Sequence, residues 1–264
     1  MTTLPERALI GVIHLSPLPG SPRWGGSMDA VVADAIRDAQ AYVEGGADAL
    51  VIENFGDVPF TSGTVPAETV AAMSHVGTLV RREGVRLPIG YNVLRNDPAS
   101  ALGLAAATGG AFIRVNVHSG AMVTDQGIIE GKAFYSVRLR QQLCPDVKIF
   151  ADVHVKHAEP LAGGRITDAA QDVLHRGLAD GLIVSGSATG DAVDIEDLRM
   201  ARAACPEAPI YVGSGSNAHN AGRFLQFANG LIVGSSVKRD GLLANPVDPK
   251  RVDALRRAMD SGAS

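Results

Sequence analysis

Ala179-Asp180-Gly181-Leu182-Ile183-Val184-Ser185 decides the fold, because the chain repeats it. Ala47-Asp48-Ala49-Leu50-Val51-Ile52-Glu53 and Ala228-Asn229-Gly230-Leu231-Ile232-Val233-Gly234 are close echoes, and Gly110-Ala111-Phe112-Ile113-Arg114-Val115-Asn116 is a weaker one. A second echo pairs Cys144-Pro145 before Ile149-Phe150 with Cys205-Pro206 before Ile210-Tyr211. Each echo is a short apolar run followed by a helical stretch, and repeats at multiples of a βα unit suit an array of like units. Working outward, the pattern predicts strands at 8–14, 48–53, 88–93, 111–117, 147–154, 180–185, 209–213 and 229–234. It predicts helices at 28–45, 66–83, 97–108, 132–143, 167–176, 194–204, 217–227 and 249–260. Asp97-Pro98 and Asp248-Pro249 each read as an N-cap followed by proline in the first helical position. An open doubly wound sheet alternates in the same way. However, the eight units fill the chain with nothing left over, and no GxGxxG follows the first run. The expectation is one α/β domain over residues 1–264, a closed (β/α)8 or TIM barrel.

Composition narrows the function classes. Of 264 residues, 46% are hydrophobic and 20% charged, and 28 acidic against 24 basic residues give a net charge of −4. That balance carries no electrostatic footprint for nucleic acid or an anionic membrane. Met1-Thr2-Thr3-Leu4-Pro5-Glu6-Arg7 lacks the basic start of a signal peptide, and no apolar run reaches the ~18 residues of a membrane span. A cytoplasmic protein is expected. Cys144 and Cys205 show no metal-type spacing and read as free thiols. Two connections are longer than a barrel needs, residues 15–27 and 118–131. Both follow strands, so both belong at the mouth, as lids over a ligand or as contacts in a homo-oligomer.

A barrel of this kind brings the C-terminal ends of all its strands to one face. The run ends carry polar and ionisable groups, so those groups converge. Gly213-Ser214-Gly215-Ser216 ends the seventh run and Gly234-Ser235-Ser236 the eighth. Glycines admit a close approach, while amides, hydroxyls and a helix N-terminus favour an anion, so these turns are the expected phosphate site, with Lys238 nearby. On the fifth run Asp152, His154 and Lys156 share parity and point the same way. They offer a general acid or base and a cation, or else a buried ion pair. His157 has the opposite parity and carries little weight. Arg114, Asn116 and His118 share parity on the fourth run, and Arg114, lying deepest, is suited to balancing charge.

Glu53 and Asn54 have opposite parity after the second run, where they face His14 after the first, and alternation does not say which of the two points inward. Asn92 and Ser185 end the third and sixth runs. Glu53, Asp152, His14 and His154 are also residue types that hold a divalent metal, though no spacing enforces it and no other cofactor is implied. Lys156 as an imine-forming nucleophile is a further option, opposed by a salt bridge to Asp152, which would keep it protonated.

At these positions the chain resembles the BtpA/SgcQ family over essentially its whole length. The matching strings include His14-Leu15-Ser16-Pro17-Leu18-Pro19-Gly20-Ser21-Pro22, Glu53-Asn54-Phe55-Gly56-Asp57-Val58-Pro59-Phe60 and Asn92-Val93-Leu94-Arg95-Asn96-Asp97. Thr124-Asp125-Gln126-Gly127-Ile128-Ile129-Glu130-Gly131 and Ala151-Asp152-Val153-His154-Val155-Lys156-His157-Ala158 match as well. The resemblance implies a phosphate-binding barrel similar to the ribulose-phosphate-binding group. It carries no catalytic assignment. It also implies an alternative, a non-catalytic factor for photosystem I biogenesis.

The residues themselves predict an enzyme acting on a small phosphorylated sugar or a nucleotide-like molecule by general acid-base chemistry. The step is isomerisation or epimerisation, or lytic or hydrolytic cleavage at an anomeric carbon. Asp152 is the first choice of acid or base and Glu53 the second. His14 and His154 position or protonate sugar oxygens. Asn54, Asn92, Asn116, His118 and Ser185 bind substrate, and Lys156 and Arg114 meet developing negative charge.

Overall fold

The computed structural model describes residues 4–186 and 192–261, so Met1, Thr2 and Thr3 lie outside it. The strands, in chain order, are β1 (Ala8–His14), β2 (Ala49–Glu53), β3 (Ile89–Asn92), β4 (Phe112–Val115), β5 (Ala121–Thr124), β6 (Gly127–Glu130), β7 (Lys148–Val153), β8 (Ala158–Pro160), β9 (Gly181–Val184), β10 (Ile210–Val212) and β11 (Gly230–Val233). Eight of them close a parallel barrel in the order β1-β2-β3-β4-β7-β9-β10-β11. The helices α1 (Met28–Glu44), α2 (Ala67–Arg82), α3 (Pro98–Thr108), α4 (Ala133–Leu143), α5 (Ile166–Gln171), α6 (Ile195–Ala204), α7 (Ala221–Phe224) and α8 (Pro249–Ser261) cover it. Among the described residues no helix is long and apolar enough to cross a membrane.

The repeated Asp or Asn before a strand closes the bottom of the barrel. Asp48 accepts from the Leu9 amide, Asp180 from the Ile149 amide and Asn229 from the Ile210 amide. Each thus satisfies an amide at the start of the neighbouring strand, a donor that would otherwise be orphaned. Each is gripped in turn by a helix arginine, namely Arg256, Arg140 or Arg202. The sequence echo is therefore a structural joint used three times.

Inside the barrel, alternate residues of every strand point to the axis. Ala8, Ile10, Val12, Ala49, Val51, Phe112, Phe150, Ile183, Tyr211 and Ile232 form this inner core. Phe150 stacks between Phe112 and Tyr211, with ring centroids 5.2 and 4.9 Å away. The opposite parity packs against the helices in the larger core, with Leu9, Leu50, Ile52, Ile113 and Leu231 among its members.

Three expectations change. Residues 118–131 are not an irregular loop, because β5 and β6 form a hairpin that β8 extends to a three-stranded antiparallel sheet. Its small core is Val117, Met122, Ile129 and Val155, too few apolar residues to stand out as a period. The seventh helix shrinks from the expected 217–227 to Ala221–Phe224. Asn217 and Asn220 cap local amides with their side chains, which competes with a helical start. Finally, β4 stops at Val115 and β7 at Val153, so parity arguments fail beyond those residues.

Candidate active site

Carrying the inward parity one step past the inner core reaches a ring at the barrel mouth: His14, Glu53, Asn92, Arg114, Asp152, Ser185, Gly213 and Gly234. The register places His14 beside Glu53 and Glu53 beside Asn92. Glu53 is therefore the inward residue of its pair. Asn54 instead ties loops together, accepting from the Leu94 amide at 2.7 Å and donating to Asp57 at 3.2 Å. Its expected place in substrate binding is corrected to a scaffold contact.

One side of the ring is an ion pair. Arg114 Nε and Nη2 donate to Asp152 Oδ2 and Oδ1 at 2.9 and 2.8 Å, and both side chains are buried. Ser185 Oγ and Asn116 Nδ2 add bonds to the same carboxylate at 3.0 and 3.3 Å. Both oxygens are thus held by a guanidinium and two further donors, which makes Asp152 an anchor for Arg114.

The other side is the Gly-Ser cradle. A cleft there is lined by His14, Glu53, Arg114, Lys156, Gly213 to Ser216 and Gly234 to Ser236. Gly215 sits at φ 69°, the left-handed region open to glycine. No protein group among the described residues accepts from the Gly215 or Ser216 amide, and the buried Ser216 Oγ is unpartnered. The Gly213 amide is already spent on Val184 O at 2.8 Å, so Gly213 supplies clearance, with Arg114 against it, and no donor. Gly234 makes room for a neighbour, since a Cβ there would lie 2.4 Å from His14 Cε1. Lys238 is not part of the cradle. Its Nζ is buried against Asp38 at 2.5 Å, and Asp38 also accepts from the Val247 amide.

The cleft opens into a chamber of about 440 Å³. Glu53, Arg114 and Lys156 belong to both. Phe55, Val58, Phe60 and Leu94 give the chamber an apolar wall, and Asn92, Arg95, Asn116, Asp125 and His157 a polar one. The Oδ1 atoms of Asn92 and Asn116 are buried and unpartnered, as is His14 Nδ1.

Two expected residues are elsewhere. His154 takes φ 53°, which breaks strand alternation just past β7 and turns the ring into a separate cleft beside α5. His118 lies beyond the end of β4, and its Nε2 contacts Gly177 O at 2.8 Å, away from the mouth. Consequently Glu53, Asp152, His14 and His154 do not gather around one point. Among the described residues no group of three or more His, Cys, Asp or Glu is arranged to hold a metal.

The sequence matches the BtpA family over residues 5–261. The chain belongs to the BtpA family. It is 48% identical to the photosystem I biogenesis protein BtpA of Synechocystis sp. over 96% of this chain and 88% of the relative. It is 46% identical to an uncharacterized protein of Pyrococcus furiosus, covering 97% and 96% of the two chains. Its fold is similar to N-(5'-phosphoribosyl)anthranilate isomerase from Pyrococcus furiosus, with TM-score 0.57 and 14% identity over 97% and 100% of the chains.

In this BtpA-family mouth the electrostatics are uneven. Burial pushes the His14 imidazole down to about 4, outweighing the pull of Glu53 in the opposite direction, so His14 is neutral at pH 7. Burial opposes ionisation of Glu53, but His14, Lys156, Arg114 and the 2.6 Å hydrogen bond from Asn92 together hold it below the usual carboxylate range. Burial, with Arg114 alongside, lowers the Lys156 ammonium below the usual lysine range. Among the described residues no carboxylate lies within 4.0 Å of Lys156, so the expected Asp152 salt bridge is not formed.

Single-sequence reasoning about roles missed Arg95, Asp125 and His157. Arg95 and His157 sit on irregular segments and Asp125 in the β5–β6 turn, where no strand period points to the mouth. The available signal was their place in the family-like strings, which are charged at positions that no local structure requires.

Proposed function

We propose that this protein is an enzyme that grips a small phosphorylated sugar or a nucleotide-like compound by its phosphate and moves a proton on it. The observation that carries this reading is a buried, ionised Glu53 with neutral His14 3.7 Å away, both opening onto the Gly-Ser cradle. The phosphate accepts from the Gly215 and Ser216 amides, the Ser216 hydroxyl and the first turn of the short helix Ser235–Val237. Glu53 takes the proton. Asn92 fixes the carboxylate's orientation, and His14 hydrogen-bonds a substrate oxygen through a nitrogen that no protein group occupies. Lys156 and Arg114 balance the charge that develops on an enolate or a departing oxygen. Asp152 serves by holding Arg114 in place. This machinery fits isomerisation or epimerisation next to a carbonyl, or cleavage at an anomeric carbon.

The test begins with thermal-shift screening of phosphorylated sugars and nucleotides, followed by turnover of whichever compounds stabilise the protein. Glu53→Gln preserves shape and removes the base. Turnover is expected to fall roughly 10²–10⁴-fold while binding survives. A fully active Glu53→Gln protein sinks the assignment.

The relative in Synechocystis supports a second reading, a non-catalytic factor in photosystem I biogenesis. An almost equally similar relative from Pyrococcus furiosus carries no such name, and a purely assembling protein has no use for a buried base beside an anion cradle. Binding of no phosphorylated compound, together with stable binding to photosystem I subunits, would favour the factor.

A further inference from the structure

Buried cations in this protein are matched by carboxylates. Arg114 has Asp152, and Lys238 has Asp38. Two cations facing the chamber, buried Arg95 and half-buried Lys156, break the pattern. Arg95 is 4% exposed and lines the chamber wall. Its Nη2 donates to the Lys156 carbonyl at 2.5 Å, but its Nε is buried without a partner. Among the described residues no group accepts from its Nη1, and none of their carboxylates lies within 4.0 Å of the guanidinium or of Lys156 Nζ. Asp125 and Asp152 act on Arg95 only from beyond that range. A guanidinium does not shed its proton at neutral pH, so burying one without a counter-charge is costly unless something else supplies the charge.

We propose that Arg95 and Lys156 form a second anion site, so that the ligand carries a carboxylate or a second phosphoryl group at the end opposite its phosphate. The inference rests on the cradle reading above for the first anion. The topology fits a ligand spanning the mouth: Arg95 follows β3, while the cradle follows β10 and β11 on the far side of the ring. Arg95 offers N–H groups in a planar fork suited to either anion, and Lys156, which reaches both spaces, adds a point charge between the sites. The apolar wall of Phe55, Val58, Phe60 and Leu94 covers the carbon chain between them.

Calorimetric titration of the full chain at fixed ionic strength tests this with five probes. They are 6-phosphogluconate, glucitol 1,6-bisphosphate, glucitol 6-phosphate, gluconate and inorganic phosphate. Glucitol 6-phosphate keeps the phosphate and the carbon chain but lacks a second anion. The wild-type protein should prefer at least one of the two-anion probes over it by about 10- to 100-fold, the worth of a charge-assisted hydrogen bond. Which probe wins decides between carboxylate and phosphoryl. Arg95→Gln should erase the preference while leaving inorganic phosphate affinity within about twofold, and Lys156→Gln should reduce it, which guards against misfolding of the first variant. Equal affinity for one- and two-anion probes, or a preference that survives Arg95→Gln, overturns the proposal. Failure of the cradle reading looks different: inorganic phosphate does not bind, yet gluconate binds in an Arg95-dependent way.

Discussion

Replacing Asp152 by Asn separates an anchor from a catalyst. The change keeps the side chain's shape, removes its charge and exchanges one oxygen for a donor. Arg114 is buried and has no other carboxylate within 4.0 Å among the described residues, so its guanidinium loses its counter-charge and one of its two bonds to this side chain. Removing one partner of such a pair costs about 3–5 kcal/mol, because the other charge is left uncompensated. An unfolding entropy of about 2.1 cal/mol/K per residue gives about 0.55 kcal/mol/K for 264 residues. The melting temperature should therefore fall by about 5–9 °C. Scanning fluorimetry gives a first value, and urea unfolding with an unchanged m-value confirms that the loss is in stability. The double variant Arg114→Met, Asp152→Asn removes both charges and should recover most of the loss, since an apolar replacement of a buried pair is commonly close to neutral. A single variant that melts within about 1 °C of the parent would refute the buried-pair argument. So would a double variant that is worse than the single one.

Acid should weaken the fold through His14. Its folded value of about 4 lies below the ordinary 6.5, so the unfolded chain takes up the proton first. Stability is then lost as pH falls from about 6.5 towards 4, by up to about 3 kcal/mol, with Glu53 adding loss in the same direction below the ordinary glutamate range. His14→Gln should flatten that slope between pH 7 and pH 4.5, and identical slopes for the two proteins would contradict the burial argument. Gly234→Ala sets a methyl 2.4 Å from His14 Cε1, so the imidazole must leave its place beside Glu53. The variant should fold, lose phosphate-dependent stabilisation, and show its His14 NMR titration moving up towards 6.5. An unmoved titration means the ring did not shift.

Much of this protein is legible without a structure, because two periods act together. Alternation along each run separates an inner from an outer face, and the βα repeat makes all eight run ends share one mouth. Those two facts bring His14, Asn92, Arg114, Asp152 and Ser185 to one mouth from their numbers alone, while the choice of Glu53 over Asn54 needs the register of the folded barrel. The repeat even marks the joints at Asp48, Asp180 and Asn229, although their purpose appears only when Leu9, Ile149 and Ile210 are seen donating to them.

Tertiary structure decided what alternation cannot reach. Parity lapses where a strand stops, so His118 beyond β4 and His154 beyond β7 turn away from the mouth. Pairing is a matter of distance across strands. Asp152 therefore binds Arg114 on the neighbouring strand and leaves Lys156 unmatched, and Lys238 is taken by Asp38, two hundred residues away in sequence. Arg95 lies in an irregular segment with no period to announce it, and only folding shows it buried, facing the chamber and without a carboxylate partner among the described residues. Local sequence specifies which face a side chain takes within a regular element. The partner it meets there is set by long-range packing, which no local pattern encodes.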